Sequence, residues 1–211
     1  MQAIPVISAS GFACHTPGSC VAVGNYSVSA SRFAAMGAVE VRGAWHQATQ
    51  VALPLGAIPS TFTSITSISC PTASQCLGVG QYAVSATQSR AMAVIESKGR
   101  LGRAVPITAV PRGSSALSST YLLDVSCQPS GLCLAVGGGR NSAGHSVAMY
   151  MVRSAGHWHA AFLAQPRGAT SGLRQLSVLT SVSCTGRFHC SAVGYYDDRS
   201  GVTHAEATAT R

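Results

Sequence analysis

The feature that most constrains this chain is a cysteine pair that occurs four times with the same spacing, C-x5-C. Two residues after the second cysteine comes a small residue, followed by valine and glycine, as in Gly78-Val79-Gly80. Successive copies begin 56, 57 and 57 residues apart. The pairs are Cys14 and Cys20, Cys70 and Cys76, Cys127 and Cys133, and Cys184 and Cys190. Copies of one supersecondary structure share a core, so the 211 residues are predicted to form a single repeat domain.

Each repeat is predicted to contain four β-strands, because alternating apolar residues and β-branched side chains favour strand over helix. In the second repeat the first three strands are expected over Ser64–Cys70, Cys76–Tyr82 and Arg90–Glu96. The fourth strand is expected to run to a proline, over 50–54, 107–111 and 162–166 in the first three repeats. The predicted repeats span 9–58, 65–115, 122–170, and 179–211 completed by 1–8.

Four antiparallel strands repeated at this length are typical of a β-propeller blade. The sequence therefore predicts an all-β propeller of four blades. Gln2-Ala3-Ile4-Pro5 resembles the predicted fourth-strand endings, so the N-terminal strand is expected to complete the last blade and to close the ring without an open edge. The alternatives are part of a longer propeller, or a solenoid of sheets.

The Ser-Cys-Pro…Cys-x-Ala-Val-Gly pattern resembles the tandem repeats of secreted actinobacterial proteins that are grouped with kelch or sialidase-like β-propellers. The resemblance covers nearly the whole chain, but most such proteins are uncharacterised, so it implies a fold and says little about function. The chain also lacks the kelch double glycine and the Ser-x-Asp-x-Gly-x-Thr-Trp box of sialidase blades.

The repeated cysteine spacing predicts four local disulfides, Cys14–Cys20, Cys70–Cys76, Cys127–Cys133 and Cys184–Cys190. Two cysteines that end one strand and begin the next face each other across a hairpin. The alternative is metal binding, but zinc sites usually have C-x2–4-C pairs, and thiolates from separate blades would not converge on one ion. We therefore predict no metal and no cofactor.

Persistent disulfides form in oxidising compartments, so the expected localisation is secreted or cell surface. The first five residues have no basic start and no long apolar run, so the chain shows no signal peptide. We interpret the chain as a mature fragment of an exported protein. The alternative is an intracellular protein whose cysteines are reduced.

The formal net charge is +8, carried by thirteen arginines and Lys98. A basic protein can meet nucleic acid, acidic polysaccharide or an anionic surface. The arginines are scattered through all repeats and form no run, which argues against a specific nucleic-acid site. No stretch approaches the roughly 18 apolar residues of a membrane helix, so no membrane insertion is expected.

Functional residues are expected where the repeats differ. Asp124 lies in a first strand, which lines the channel of a propeller, although a structural hydrogen bond is its simplest role. Gly137-Gly138-Gly139 replaces the aromatic residue of the other copies, which predicts either a ligand notch or a relaxed turn. The loop from Asp197 offers oxygen ligands for calcium, or is a solvated hairpin tip. The candidate ligand-binding residues are Asp124, Arg140, His145, Tyr196, Asp197, Asp198 and His204.

The carboxylates give little support for an enzyme. Glycoside hydrolysis normally needs two of them, one on each side of the sugar bond. Glu40 and Glu96 occupy equivalent repeat positions and are expected at solvated strand ends on different blades. No catalytic residues are therefore predicted. The expected function is an extracellular binding or scaffolding module for a glycan or a protein. The alternatives are a sialidase- or lyase-like enzyme and a purely structural envelope or assembly protein.

The disulfides can be tested by mass. Each bridge removes two hydrogens, so the unreduced protein should be about 8 Da lighter than the reduced protein if four bridges form. Intact-mass spectrometry before and after reduction checks this. Eight thiols that react with an alkylating reagent in the native protein would contradict it.

Overall fold

A computed structural model describes residues 7–29, 32–58, 63–109, 117–141, 144–162, 176–185 and 189–210. The chain divides into two compact units, Met1–Ile107 and Thr108–Arg211. The described residues are all-β, with four antiparallel sheets. Within these residues no helix is long and apolar enough to cross a membrane.

The first unit contains two sheets, each built from three long strands and two short ones. Both sheets are antiparallel meanders in which each long strand pairs with the next along the chain. The strands of the first sheet are β1 (Ile7–Thr16), β2 (Ser19–Ser29), β3 (Arg32–Val41), β4 (Ala44–Trp45) and β5 (Thr49–Gln50). Those of the second are β6 (Ser64–Thr72), β7 (Gln75–Ala83), β8 (Ser89–Ser97), β9 (Arg100–Leu101) and β10 (Val105–Pro106).

The second unit also contains two antiparallel meanders. The third sheet consists of β11 (Ser119–Cys127), β12 (Cys133–Arg140), β13 (Ser146–Ser154) and β14 (His157–Phe162). The fourth sheet consists of β15 (Ser177–Cys184), β16 (Cys190–Asp197) and β17 (Thr203–Thr210). The predicted first three strands of the repeat are confirmed in all four copies. Residues 1–6 lie outside the described residues, so the closing N-terminal strand stays a prediction.

The fourth strand was predicted too late in the chain. Pairing with the third strand begins at Ala44, Arg100 and His157. Each time, the two strands are joined by a two-residue turn with positive φ, as in Lys98-Gly99 (φ 54° and 74°). Such turns match the right-handed twist of a hairpin, so the chain folds back at once. In the first two copies a second short strand, β5 or β10, also pairs with the third strand and ends at the start of the predicted run toward proline or just before it. Residues 163–166 lie outside the described part of the chain.

The run toward proline has a different role. Val51 and Ile107 are buried, at 2% and 4% exposure. Their amides donate to the carbonyl oxygens of Ala35 and Ala91, which lie on the third strands. The apolar residues on which the strand prediction rested therefore belong to the hydrophobic core, in the segment that follows the short strands.

Every first hairpin carries a β-bulge at the same repeat position. The pairing shifts by one residue four residues before the first cysteine, at Ser10, Thr66, Leu123 and Thr180. In two copies a threonine hydroxyl spans the bulge, because Thr66 donates to the oxygen of Val79 and Thr180 to that of Val193. A bulge adds one residue to one strand and increases its local twist.

The glycine of the small-Val-Gly step lies opposite this bulge. A Cβ atom on it would overlap with a carbonyl oxygen of the first strand in all four copies. The glycines are Gly24, Gly80, Gly137 and Gly194, and the oxygens belong to Ser8, Ser64, Tyr121 and Val178. The glycine is therefore required by the close approach of two backbones.

All four predicted disulfides are present, and the described residues contain no free cysteine. Each joins the first strand of a repeat to the second, with Cα atoms 3.9–4.0 Å apart. Closing such a short loop stabilises the folded chain by roughly 2 kcal/mol in the chain-entropy model. Each bridge therefore fixes one hairpin within one repeat.

The two sheets of each unit pack through apolar side chains. In the first unit Val21 and Val23 contact a cluster that includes Ile65, Ile68 and Met92, all at most 6% exposed. In the second unit Leu134 and Val136 belong to a cluster with Leu179, Val182 and Ala192. The apolar position two residues before the first cysteine thus supplies the core, as Ile68 and Val182 show.

Two repeat positions are each buried in three copies and exposed in one, the first copy for one position and the fourth copy for the other. Phe12 is 63% exposed, whereas the equivalent Ile68, Val125 and Val182 are buried. Val193 is 48% exposed, whereas its three equivalents in the other second strands are buried. The first and fourth sheets therefore each present apolar side chains to solvent.

Gly80→Ala tests the required glycine. The added methyl group would overlap with the Ser64 oxygen, so the free energy of unfolding should fall by about 1–3 kcal/mol. The control is Gly131→Asn: Gly131 has a φ of 82° and open space around it, and asparagine tolerates this conformation, so the loss should be smaller. Urea unfolding of both variants measures the difference, and equal losses would contradict the explanation.

Candidate functional site

Asp124 links two neighbouring sheets of the second unit. One oxygen, Oδ1, accepts from the amide of Val125 at 2.8 Å. The other, Oδ2, accepts from the hydroxyl of Ser181 and the amide of Val182, both at 2.8 Å. Both oxygens of this carboxylate are therefore engaged by donors of the fold, which supports the structural role.

The same position is a glycine in the first repeat. A Cβ on Gly11 would lie 2.9 Å from the Cα of Ser67 and 3.1 Å from the amide nitrogen of Ile68. Ser67 and Ile68 are the repeat equivalents of Ser181 and Val182. Each unit therefore joins its two sheets at the same repeat position. In the first unit the backbones pack closely there, and in the second unit a carboxylate links them.

The predicted notch at the three glycines is filled. The ring of Tyr121 lies against Gly138, and the side chain of Leu117 occupies the space beside Gly139. Burial raises the pKa of Tyr121. The aromatic missing from the second strand is thus replaced by side chains from the first strand and the segment before it, so the relaxed-turn alternative fits better than a ligand notch.

Arg140 and His145 flank these glycines without forming a site together. Arg140 is exposed, and its carbonyl oxygen accepts from the amide and hydroxyl of Ser118. The amide of His145 donates to Asn141 Oδ1 at 2.9 Å, which closes a turn. Residues 142 and 143 lie outside the described residues.

The loop from Asp197 is a hairpin organised around one carboxylate. Asp198 Oδ1 accepts from the amides of Ser200 and Val202 and from the Ser200 hydroxyl, at 2.6–3.0 Å. Its Oδ2 lies 2.7 Å from His204 Nε2. These hydrogen bonds, with that of the Ser200 hydroxyl first, hold the pKa of Asp198 well below its usual range. Because N–H and O–H donors already surround Asp198, the geometry fits a hairpin tip better than a calcium site.

Two further candidates belong to the same hairpin. The ring of Tyr196 stacks on His204, with centroids 5.3 Å apart. Asp197 Oδ1 accepts from the Thr203 hydroxyl at 2.7 Å. The structure therefore brings Tyr196, Asp197, Asp198 and His204 together, but as the two strands of one turn.

Sequence reasoning missed the concave surface of the first unit. A cavity of about 300 Å³ lies between the first two sheets, at the end where the disulfide hairpins turn. A neighbouring depression of about 500 Å³ shares Val39 and Gly99 with it. We call the two together the inter-sheet groove. Its polar lining residues are His15, Ser19, Glu40, His46, Gln47, Thr49, Ser74, Glu96, Lys98 and Arg100.

A buried histidine–glutamate pair forms the floor of the groove. His15 Nε2 lies 2.7 Å from Glu96 Oε2, and the two side chains are 6% and 2% exposed. His15 Nδ1 lies 2.6 Å from the carbonyl oxygen of Thr72, which only accepts, so Nδ1 carries the hydrogen. The amide of Gly99 donates to Glu96 Oε1 at 2.8 Å.

The expectation that Glu96 is solvated was therefore wrong, and Glu40 is half-buried. Both line the same cavity, which lies between the first two sheets. The available signal was His15: the residues after the first cysteine in the other copies are Pro71, Gln128 and Thr185, none of which is ionisable.

Glu206 is an acid at an apolar position. It lies on β17 where the other repeats have Met36, Met92 and Met149. Its Oε2 is buried and has no hydrogen-bond partner among the described residues. Burial raises the pKa of this carboxyl. The buried Oε2 of Glu206 therefore destabilises the fold locally.

Comparison with known proteins shows the fold alone. No protein-family model matches the chain, and no curated protein matches it in sequence. A solved structure named Hadza microbial sialidase Hz136 is similar, with a TM-score of 0.62 and 10% identity, over 94% of this chain and 43% of that one. The chain thus spans less than half of that sialidase. A neuraminidase-like protein from A/bat/Guatemala/164/2009 matches with a TM-score of 0.45 and 10% identity, over 95% of this chain and 54% of that one.

Glu206→Met tests the cost of this carboxylate. Restoring the methionine of the other repeats should raise the free energy of unfolding at neutral pH by about 1 kcal/mol, at the low end because the side chain is half-exposed. The raised pKa means that the folded state holds the proton more tightly, so wild-type stability rises as pH falls through it. The gain should therefore shrink in acid. Urea unfolding of both proteins at neutral and at acidic pH measures the gain in the free energy of unfolding. An equal gain at the two pH values would exclude the carboxylate as the cause.

Proposed function

We propose that the protein is an extracellular, non-catalytic propeller module of four blades that binds a glycan in the inter-sheet groove of the first unit. The main observation in favour of this proposal is the groove itself. Its two depressions, of about 300 and 500 Å³, have the size of small-molecule sites. Oligosaccharides need many convergent hydrogen-bonding groups, and the groove offers them in both depressions.

The charges at the rim favour an acidic glycan. Lys98 and Arg100 are exposed and stand on either side of Gly99, at the turn that both depressions share. The acid on the floor, Glu96, is already paired with His15. The accessible charges of this turn are therefore positive, which suits a carboxylated or sulfated sugar.

The carboxylates favour binding over hydrolysis. Glu96 accepts from Gly99 and faces His15, Asp124 joins two sheets, and Asp198 organises a hairpin. Among the described residues that line the groove, the acid beside Glu40 is Glu96, which already contacts His15. A glycoside hydrolase normally requires a pair, one for the leaving group and one for the nucleophile or water.

Two other observations support the extracellular location and the glycan ligand. Four disulfides suit an oxidising compartment outside the cytosol. The solved structure with the higher TM-score bears the name of a sialidase, an enzyme that acts on sugars, so this fold can support glycan chemistry. Because function depends on the site and not on the fold, this second point is the weaker one.

A glycan array with neutral and acidic sugars tests the proposal. Wild-type protein should bind one class of acidic glycan, and Lys98→Ala and Arg100→Ala should each weaken binding by about 10-fold, since a hydrogen bond to a charged group contributes about 1.5–3 kcal/mol. Arg199→Ala is the matched control, because Arg199 is exposed on a hairpin of the second unit and should leave binding unchanged.

Three results would overturn the proposal. Hydrolysis of a fluorogenic sialoside that Glu40→Gln abolishes would make the protein an enzyme. Absence of glycan binding together with self-association would favour a structural role. Glycan binding that Lys98→Ala and Arg100→Ala leave intact would place the site elsewhere.

A further inference from the structure

Metal-binding side chains of three kinds meet at one disulfide of the first unit. The ligand atoms of His15, Cys70 and Cys76 all lie within 4.8 Å of one another. Glu96 is hydrogen-bonded to this histidine. We propose that reduction of the Cys70–Cys76 disulfide converts the cluster into a zinc site with the ligands Cys70, Cys76, His15 and Glu96.

The distances suit a tetrahedral ion. Zinc binds sulfur at about 2.3 Å and nitrogen or oxygen at about 2.0–2.2 Å, so its ligand atoms lie about 3–4 Å apart. His15 Nε2 is 3.2 Å from Cys76 Sγ and 2.7 Å from Glu96 Oε2. Once the sulfur–sulfur bond is broken, His15 and the two sulfurs start with their ligand atoms within 4.8 Å of one another, and Glu96 can supply the fourth ligand because it already contacts His15 Nε2.

The surrounding hydrogen bonds orient the ligands as metal sites require. Zinc-binding histidines usually donate from the second ring nitrogen to a carbonyl or carboxylate. His15 Nδ1 makes this bond to the Thr72 carbonyl and leaves Nε2 facing the sulfur. The amide of Gly99 holds the second oxygen of Glu96 in the same way.

Burial and access also fit. Cys76 is fully buried and the side chains of Glu96 and His15 are nearly so, which keeps water from competing for the ion. His15 and Glu96 also line the 300 Å³ cavity, which gives an ion a path from solvent. The site would thus be enclosed but reachable.

The other disulfides lack these partners in the repeat register. For Cys184–Cys190 the residues equivalent to His15 and Glu96 are Gln128 and Thr210. For Cys127–Cys133 they are Pro71 and Arg153. Neither set contains a histidine or a carboxylate. Cys14–Cys20 has Glu40 in register with Glu96, but no other repeat has a histidine in the position of His15. One disulfide of the four is therefore predicted to change into a metal site.

The conversion balances without further groups. A phosphine reductant and one water turn the disulfide into two thiols and a phosphine oxide; a dithiol does the same and becomes a disulfide. Zinc then binds both thiolates, His15 Nε2 and Glu96, so the two thiol protons leave to solvent together with the proton shared between Nε2 and Oε2, three protons in all. Nδ1 keeps its hydrogen, which it donates to the Thr72 carbonyl oxygen.

The test uses a variant in which the other three disulfides remain. Cys70→Ser leaves Cys76 as a free thiol beside His15 and Glu96. Cobalt(II) should give a thiolate-to-cobalt charge-transfer band at one ion per chain, and zinc should abolish it. Cys127→Ser leaves Cys133 between two leucines, with neither a histidine nor a carboxylate at the corresponding repeat positions, and should show no band. Adding His15→Gln to Cys70→Ser should weaken zinc binding by at least about 10-fold.

Two outcomes would overturn the proposal: folded Cys70→Ser protein that binds no more cobalt than Cys127→Ser, or zinc affinity that His15→Gln leaves unchanged. If Cys70→Ser does not fold, wild-type protein is reduced with limiting phosphine and alkylated with and without zinc. Zinc should protect Cys70 and Cys76 alone, and equal alkylation of all reduced pairs would contradict the proposal. Glycan binding by the oxidised protein is independent of these results.

Discussion

The close approach of two backbones in the first hairpin fixes the register on which the rest of each repeat depends. A carbonyl oxygen of the first strand lies where the glycine of the second strand would carry its Cβ, beside a bulge that recurs in all four copies. A slip of one residue would move a side chain into that oxygen and turn the core valine outward. The disulfide then closes the hairpin a few residues further on, so sterics and covalent chemistry select one pairing.

The sequence was a good guide to whatever all four repeats share. The cysteine spacing and the strands beside it predicted the hairpins, because a repeated pattern averages out local ambiguity. The fourth strand was misplaced because apolar residues such as Val51 pointed to a strand, whereas the turn at Lys98-Gly99 decided where the chain folds back. The overlap with a carbonyl oxygen that requires glycine at position 80 could not be predicted, because it depends on the distance between two strands.

The candidate site was harder to predict, since it depends on contacts between repeats. Asp124 and the Asp198 hairpin were predicted as functional because the copies differ there, and both hold the fold together. The same rule applied to His15 would have pointed to the groove. That residue lies 81 positions before Glu96, so the pairing of the two follows only from how neighbouring sheets pack.

The local disulfides have a consequence for how the chain survives damage. Every bridge spans a sequence separation of 6 and lies inside a single hairpin. No bridge therefore ties one repeat to the next, and a protease cut between repeats would leave fragments joined only by noncovalent contacts. Each fragment would keep its own stapled hairpins, so mild denaturant should separate nicked protein into pieces even under fully oxidising conditions.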